Sequence, residues 1–327
     1  MLQACNIVRY SGLSFLRGVA AFFIVGCHIG LAPRTVAGEL MTWFCDMNVG
    51  LFAAISGFLL AHSFDRDEGL IWVRYVKRRV GRLLPIYVVW TIFYLCASLM
   101  FALVLKGQLP VDKYSNPRFW VDVVFWGGAS CHLWFIASLL YAQLIFAGVY
   151  SCCRRMTGDY LLFAVISFVV VSISTLERTF LLTYPCRLLG FVALGIAIYG
   201  FLKRRTLALK IVLPFLIIGG VFHCLSAQWV HGFLRDWVLV AVIMLVFARS
   251  GMPVLGGDVA ATLSRCSLGV FLIHPFFAAG VAAFVTRSFA APYGCGVILG
   301  DWIVVYALAL VSTLILLRVH WVDKLVR

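Results

Sequence analysis

The stretch Phe15–Ala32, FLRGVAAFFIVGCHIGLA, has the length and apolar content of a membrane span, since roughly 20 apolar residues suffice to cross a bilayer. It nevertheless carries Arg17 and His28. Ionisable groups inside spans are costly, usually face the bundle interior or a wet path, and mark functional sites. Their spacing of eleven residues corresponds to about 20° beyond three full helical turns and about 16 Å along the axis. On one continuous helix they therefore share a face. The competing explanation is an arginine that snorkels to the inner headgroups and a histidine held in an internal polar contact. The alignment of the two favours function.

Outward from this span, the chain is uniformly apolar. Its 327 residues are 63% hydrophobic and only 12% charged, with a mean hydropathy of +1.02. A water-soluble domain of this length cannot hide so much apolar surface, so an all-α polytopic membrane bundle is expected. The first span reads as retained rather than as a cleaved signal, because Arg17 lies in its interior. The net charge of +14 fits basic residues flanking spans on the cytoplasmic side. No polar block large enough to hold a nucleic acid accompanies it. The eleven cysteines include Cys27, Cys96, Cys186 and Cys224 inside apolar segments. They show no metal-binding spacing and read as small buried side chains. The histidines are too scattered to suggest a metal site.

Ten spans are expected, at 13–32, 41–62, 83–105, 132–152, 160–177, 185–202, 207–223, 237–250, 267–286 and 296–318. The segment 119–130, FWVDVVFWGGAS, is too short to cross and contains Asp122, so it reads as interfacial or re-entrant. With the N-terminus cytoplasmic, 18 of the 27 Lys and Arg residues fall in cytoplasmic segments and eight in outer ones. That bias predicts both termini inside, and a basic cytoplasmic loop at 63–82.

Five motifs then follow one another in order. They are LSFLRGVAAFFIVGCHIG with Arg17 and His28; VGLFAAISGFLL with Gly50, Phe52, Ser56 and Gly57; and VKRRVGRLLPIY with Arg79, Arg82, Pro85 and Tyr87. CHLWFIASLLYAQ follows with His132 and Trp134, and SLGVFLIHPFF with Ser267, Gly269, His274 and Pro275. Together they resemble the acyltransferase 3 family of membrane-bound acyl-transferring proteins, over almost the whole chain. The resemblance implies transfer of an acyl group, commonly from cytoplasmic acetyl-CoA, to a carbohydrate hydroxyl. Many family members carry a glutamate shortly after the His-x-Trp motif. Here Ala137–Leu140 has no acid, so no catalytic carboxylate is assigned there. The stretch after the last span, HWVDKLVR, leads to the expectation of one domain, 1–327, without the fused hydrolase-like domain of some relatives.

The residues support that chemistry. A sugar hydroxyl needs a general base, and histidine titrates nearest neutrality. His28, near the outer end of its helix, is the expected base, with Arg17 on the same catalytic route. Asp46, Glu39 and Asp301 compete as the partner that orients His28, and Asp46 is preferred. Arg74, Arg78 and Arg82 recur every four residues. With Arg79 and Tyr87 they are the expected site for acyl-CoA, whose phosphates suit arginine forks. A basic anchor on anionic lipid is the alternative. His132 and Trp134 are the expected acceptor-binding pair. His274 shares a face with Ser267 and reads as a helix–helix contact. His62, His223, His231 and His320 read as interfacial. Trp43, Trp120, Trp126, Trp134 and Trp302 read as an aromatic belt. The expected protein is an O-acyltransferase of a bacterial inner membrane that uses acetyl-CoA, with no tightly bound cofactor, to acetylate a surface polysaccharide such as lipopolysaccharide O-antigen. Exopolysaccharide or enterobacterial common antigen as acceptor, and a carrier without acyl chemistry, remain the rivals.

Overall fold

The computed structural model describes residues 11–29, 36–67, 72–107, 111–130, 132–153, 162–167, 169–170, 180–203, 228–248, 257–288 and 295–319. Among them there is helix and no strand. The helices are α1 (Ser11–Cys27), α2 (Val36–Arg66), α3 (Trp72–Lys106), α4 (Val111–Ser115) and α5 (Pro117–Phe125). They continue with α6 (Trp134–Cys153), α7 (Phe180–Lys203), α8 (Gln228–Phe247), α9 (Gly257–Ser288) and α10 (Cys295–Leu316). By length and composition, the stretches Phe44–Arg66, Trp72–Val104, Trp134–Cys152, Asp258–Ala282 and Ile298–Leu316 are each able to cross a bilayer. The apolar helices Ser11–Cys27 and Asp236–Phe247 are shorter. The chain is thus an all-α, multi-pass membrane bundle. Of the ten expected spans, 207–223 lies outside the described residues, and 160–177 is described only at 162–167 and 169–170.

α2 sits at the centre, packed on α7 and α1, while α9 packs on α1 and α10. α3 and α10 line the outside. Val88, Val89, Ile92, Met100, Val104, Ile303, Val304, Val311 and Ile315 are exposed on them, as lipid-facing side chains should be. The α2/α7 contact depends on glycine. A Cβ at Gly195 would lie 1.8 Å from the Ala54 carbonyl oxygen, and one at Gly57 2.0 Å from that of Val192. Backbone meets backbone there, the way helices associate where lipid offers no hydrophobic drive.

Contacts along the helices fix their directions. Gly18 meets Leu263 and His28 meets His274, so α1 and α9 run parallel. Tyr75 meets Gln143 and Tyr94 meets His132, so α3 and α6 are antiparallel. Ala54 meets Gly195, and Asp65 bonds Tyr199 and Lys203, so α2 and α7 are parallel. These directions gather Arg66, the Arg74–Arg82 series, Lys203, Arg265 and Arg318 at one end of the bundle.

Two expectations need correction here. The basic segment expected as a loop at 63–82 is helical on both sides of residues 68–71, because α2 runs to Arg66 and α3 begins at Trp72. Phe64, Tyr75 and Tyr150 stack at that end and hold the first turns of α3 against α2 and α6. α3 continues through Pro85. Trp302 is not part of an aromatic belt: it is 2% exposed, stacks on Phe22 and donates its Nε1–H to the Phe22 carbonyl at 2.8 Å. The short segment after α3 forms α4 and α5, with Trp120, Val121, Val124 and Phe125 exposed. Asn116 caps α5 by accepting the Arg118 amide, with Pro117 at its start, as helix entry favours.

Candidate active site

Two clusters of candidate side chains, or stations, lie along the bundle. The first is at its basic end. Arg17 lies 5.8 Å from the Phe52 ring centre, in a cation–π contact. The Arg79 and Arg82 guanidiniums are its electrostatic neighbours. Arg79 is held in place by Tyr75, whose hydroxyl accepts from Nε at 3.0 Å and whose ring lies 5.2 Å beneath the guanidinium. Gln143, buried on α6, stands 3.5 Å beyond that hydroxyl. Arg74 and Arg78 are exposed on the same helix. Arg82 is exposed as Arg74 and Arg78 are, but the fold sets it, with Arg79, beside the Arg17 charge.

The second station is made of imidazoles. α1 ends at Cys27, and His28 follows in a turn closed by its amide to the Val25 carbonyl at 3.1 Å. Ring centroids are 5.0 Å apart for His28–His274, 5.8 Å for His132–His274 and 6.5 Å for His28–His132. His132 and His274 are 1% and 0% exposed. Each has one ring nitrogen held: His132 Nδ1 is 3.0 Å from Ser130 Oγ, and His274 Nδ1 is 3.1 Å from the Val270 carbonyl. Neither Nε2 has a hydrogen-bond partner among the described residues. A buried polar atom in that state is costly, and such costs are tolerated at functional sites.

Pro275 sits inside α9 and has no N–H for the Phe271 carbonyl four residues back. Side chains address the carbonyls on either side of it: the Tyr94 hydroxyl donates to Leu272 O at 2.7 Å, and the His274 ring addresses Val270.

Aromatic rings connect the two stations. Phe52, under Arg17, is 6.2 Å from Phe135, which is 5.1 Å from Phe271. Phe271 in turn is 5.5 Å from His132 and 6.1 Å from His274.

The other sequence candidates fall elsewhere. Asp46 is exposed, with the Cys27 thiol and Arg187 among its electrostatic neighbours, while the Cys27 thiol addresses the Phe23 carbonyl at 3.9 Å. The Tyr87 hydroxyl donates to the Val123 carbonyl at 2.5 Å and accepts from the Gly127 amide at 2.9 Å. It thereby occupies the place of the next helical hydrogen bond of α5 and fixes the loop into α6. Gly127 has φ +74°, and a Cβ there would meet the Trp134 amide at 2.2 Å, so glycine is required. Trp134, the first residue of α6, is half-buried. His62 is not simply interfacial; its Nδ1 is buried and its ring lies 5.7 Å from Tyr199. Ser267 bonds the Ser264 carbonyl, while His274 joins the imidazoles. The side chains of Glu39, Trp43 and His231, and residues His223 and His320, lie outside the described residues.

The chain is thus a membrane helix bundle with an arginine cluster at one level and a buried imidazole cluster at another. The acyltransferase domain model of the acyltransferase 3 family matches residues 10–319, and the chain belongs to that family. It is therefore a membrane acyltransferase. It is also similar to a Rhizobium radiobacter protein named "Protein 2 in picA locus", with 35% identity over 108 residues. That match covers 32% of this chain and 53% of that protein.

Proposed function

We propose that this acyltransferase takes an acetyl group from cytoplasmic acetyl-CoA and places it on a hydroxyl of a surface polysaccharide, O-antigen first among candidates, from a bacterial inner membrane with both termini inside. The observation that supports it is the pair of stations joined by one aromatic column. Arg17, Arg79 and Arg82 together present several guanidinium donors to an anion. The CoA phosphates supply that anion, and arginine forks fit them. The pantetheine arm, thin and largely apolar, then follows Phe52, Phe135 and Phe271 toward the imidazoles. There the thioester meets the acceptor hydroxyl, entering from the opposite end beside the α5–α6 loop. His28 takes the hydroxyl proton as the new C–O bond forms and the C–S bond breaks, and the thiolate leaves with a proton.

The test is the O-acetyl content of surface polysaccharide, read by NMR, in cells expressing wild type, His28→Ala or neither, with membrane levels matched. Acetyl signals with wild type alone are expected. If wild type acetylates no surface glycan, the acceptor and donor assignments fall. If His28→Ala acetylates as wild type does, His28 is not the base.

A further inference from the structure

For the proposed function the orientation of the His28 ring at the moment of proton transfer matters, and the carboxylate preferred from sequence is exposed. We infer that His274 is the positioning partner: its Nε2 accepts a ring N–H of His28, forming a dyad of two imidazoles in which His28 is the base. The inference rests on the acyl-transfer assignment above and deepens it.

Three observations carry it. First, the tautomer of His274 is set by geometry. Its Nδ1 faces the Val270 carbonyl at 3.1 Å, and a carbonyl only accepts, so Nδ1 bears the hydrogen. In a neutral imidazole the lone pair is then on Nε2. Second, that Nε2 is buried and has no hydrogen-bond partner among the described residues, on a side chain that is 0% exposed. Third, the spacing fits. Two imidazoles joined by an N–H···N bond of about 3 Å hold their centroids about 5 Å apart. His28 and His274 stand at 5.0 Å, whereas His28 and His132 stand at 6.5 Å. A rotation of the His28 ring about its broad terminal torsion closes the bond.

The arrangement gives His28 one nitrogen tied to His274 and one lone pair facing the reactants. The acceptor hydroxyl gives its proton to that lone pair while its oxygen bonds the acyl carbon and the C–S bond breaks. The imidazolium formed keeps its N–H···Nε2 bond to His274, then passes the new proton to the CoA thiolate. His274 is unchanged throughout.

The experiment compares His274→Asn with His274→Gln in the full-length membrane protein. Asn retains a donor for the Val270 carbonyl but has nothing where Nε2 was. Gln places an amide oxygen near the Nε2 position. Two readouts are taken on equal amounts of monodisperse protein: the rate of His28 ethoxycarbonylation by diethyl pyrocarbonate, followed by peptide mass spectrometry, and glycan O-acetylation in cells. With His274→Asn, labelling of His28 is expected to slow at least about tenfold and acetylation to fall at least about thirtyfold. His274→Gln is expected to restore both to within about threefold of wild type. Wild-type behaviour of His274→Asn in both readouts, or Gln no better than Asn, overturns the dyad. The labelling pattern without any wild-type acetylation upholds the dyad and removes the acyl-transfer assignment. Acetylation that needs His28 but ignores position 274 does the reverse.

Discussion

Tyr87→Phe separates a binding role from a structural one. The substitution removes a hydroxyl that donates to Val123 O and accepts from Gly127 N–H, both on buried residues. Leaving one buried donor and one buried acceptor unsatisfied costs about 1–3 kcal/mol each. Water reaching the loop from the bundle end recovers part of this, so about 2–4 kcal/mol is expected in total, borne by the α5–α6 loop that carries His132 and leads into α6 at Trp134. Thermal unfolding of the detergent-purified protein, followed by intrinsic tryptophan fluorescence, should begin several degrees earlier. Steady-state assays with acetyl-CoA should show kcat lowered and KM for acetyl-CoA unchanged within about twofold. Unaltered unfolding together with a tenfold or greater rise in KM for acetyl-CoA would refute the loop-fixing account and return Tyr87 to the donor site.

Further expectations follow from the packing and the charges. Gly195→Ala puts a methyl group into the Ala54 carbonyl and forces two central helices apart. A loss of about 1–3 kcal/mol is expected, read as lower membrane abundance and earlier unfolding. Arg187→Ala leaves the Asp236 carboxylate, which is 4% exposed, without its ion-pair partner. A loss of about 3–5 kcal/mol is expected, with partial recovery when Asp236→Leu is added and both are measured in one thermal series. Lys203→Ala breaks a pair that is half in solvent and should cost under about 1 kcal/mol. Arg79→Lys keeps the charge but loses the fork and the Tyr75 stacking. It should raise KM for acetyl-CoA about tenfold in the same kinetic assay and leave KM for the glycan unchanged.

Much of the architecture was legible because bilayer physics is demanding. An apolar chain with flanking basic residues has few options beyond a helix bundle, and the motif order pointed to the family that the domain match then established. The convergence of Arg17 with Arg79 and Arg82 was half legible: charge and spacing nominated all three, but only packing separates them from Arg74 and Arg78. The imidazole cluster was harder to see. Periodicity on α9 puts His274 on the same face as Ser267, and it does not say which neighbour that face meets. The answer lies in register. α1 and α9 run parallel from the Gly18–Leu263 contact, so residues ten and eleven positions further on, His28 and His274, arrive side by side. Gly18, in the same span as His28, was the available signal on α1. The bonds of Tyr87 were not legible because its motif sits beside basic residues, while its hydroxyl reaches Val123 of α5, 36 positions away. Trp302 was misplaced because tryptophan's interfacial preference yields to a buried carbonyl that its indole N–H can satisfy.

The most direct measurement supplies radiolabelled acetyl-CoA to the cytoplasmic face of inside-out membrane vesicles. These contain wild type, Arg17→Ala, His28→Ala or no added protein, together with the cell's own lipid-linked glycan. Label in the glycan with wild type, and at least about hundredfold less with either variant at equal abundance, is the predicted result. Equal glycan labelling in vesicles with wild type and with no added protein would contradict acyl transfer across the two stations.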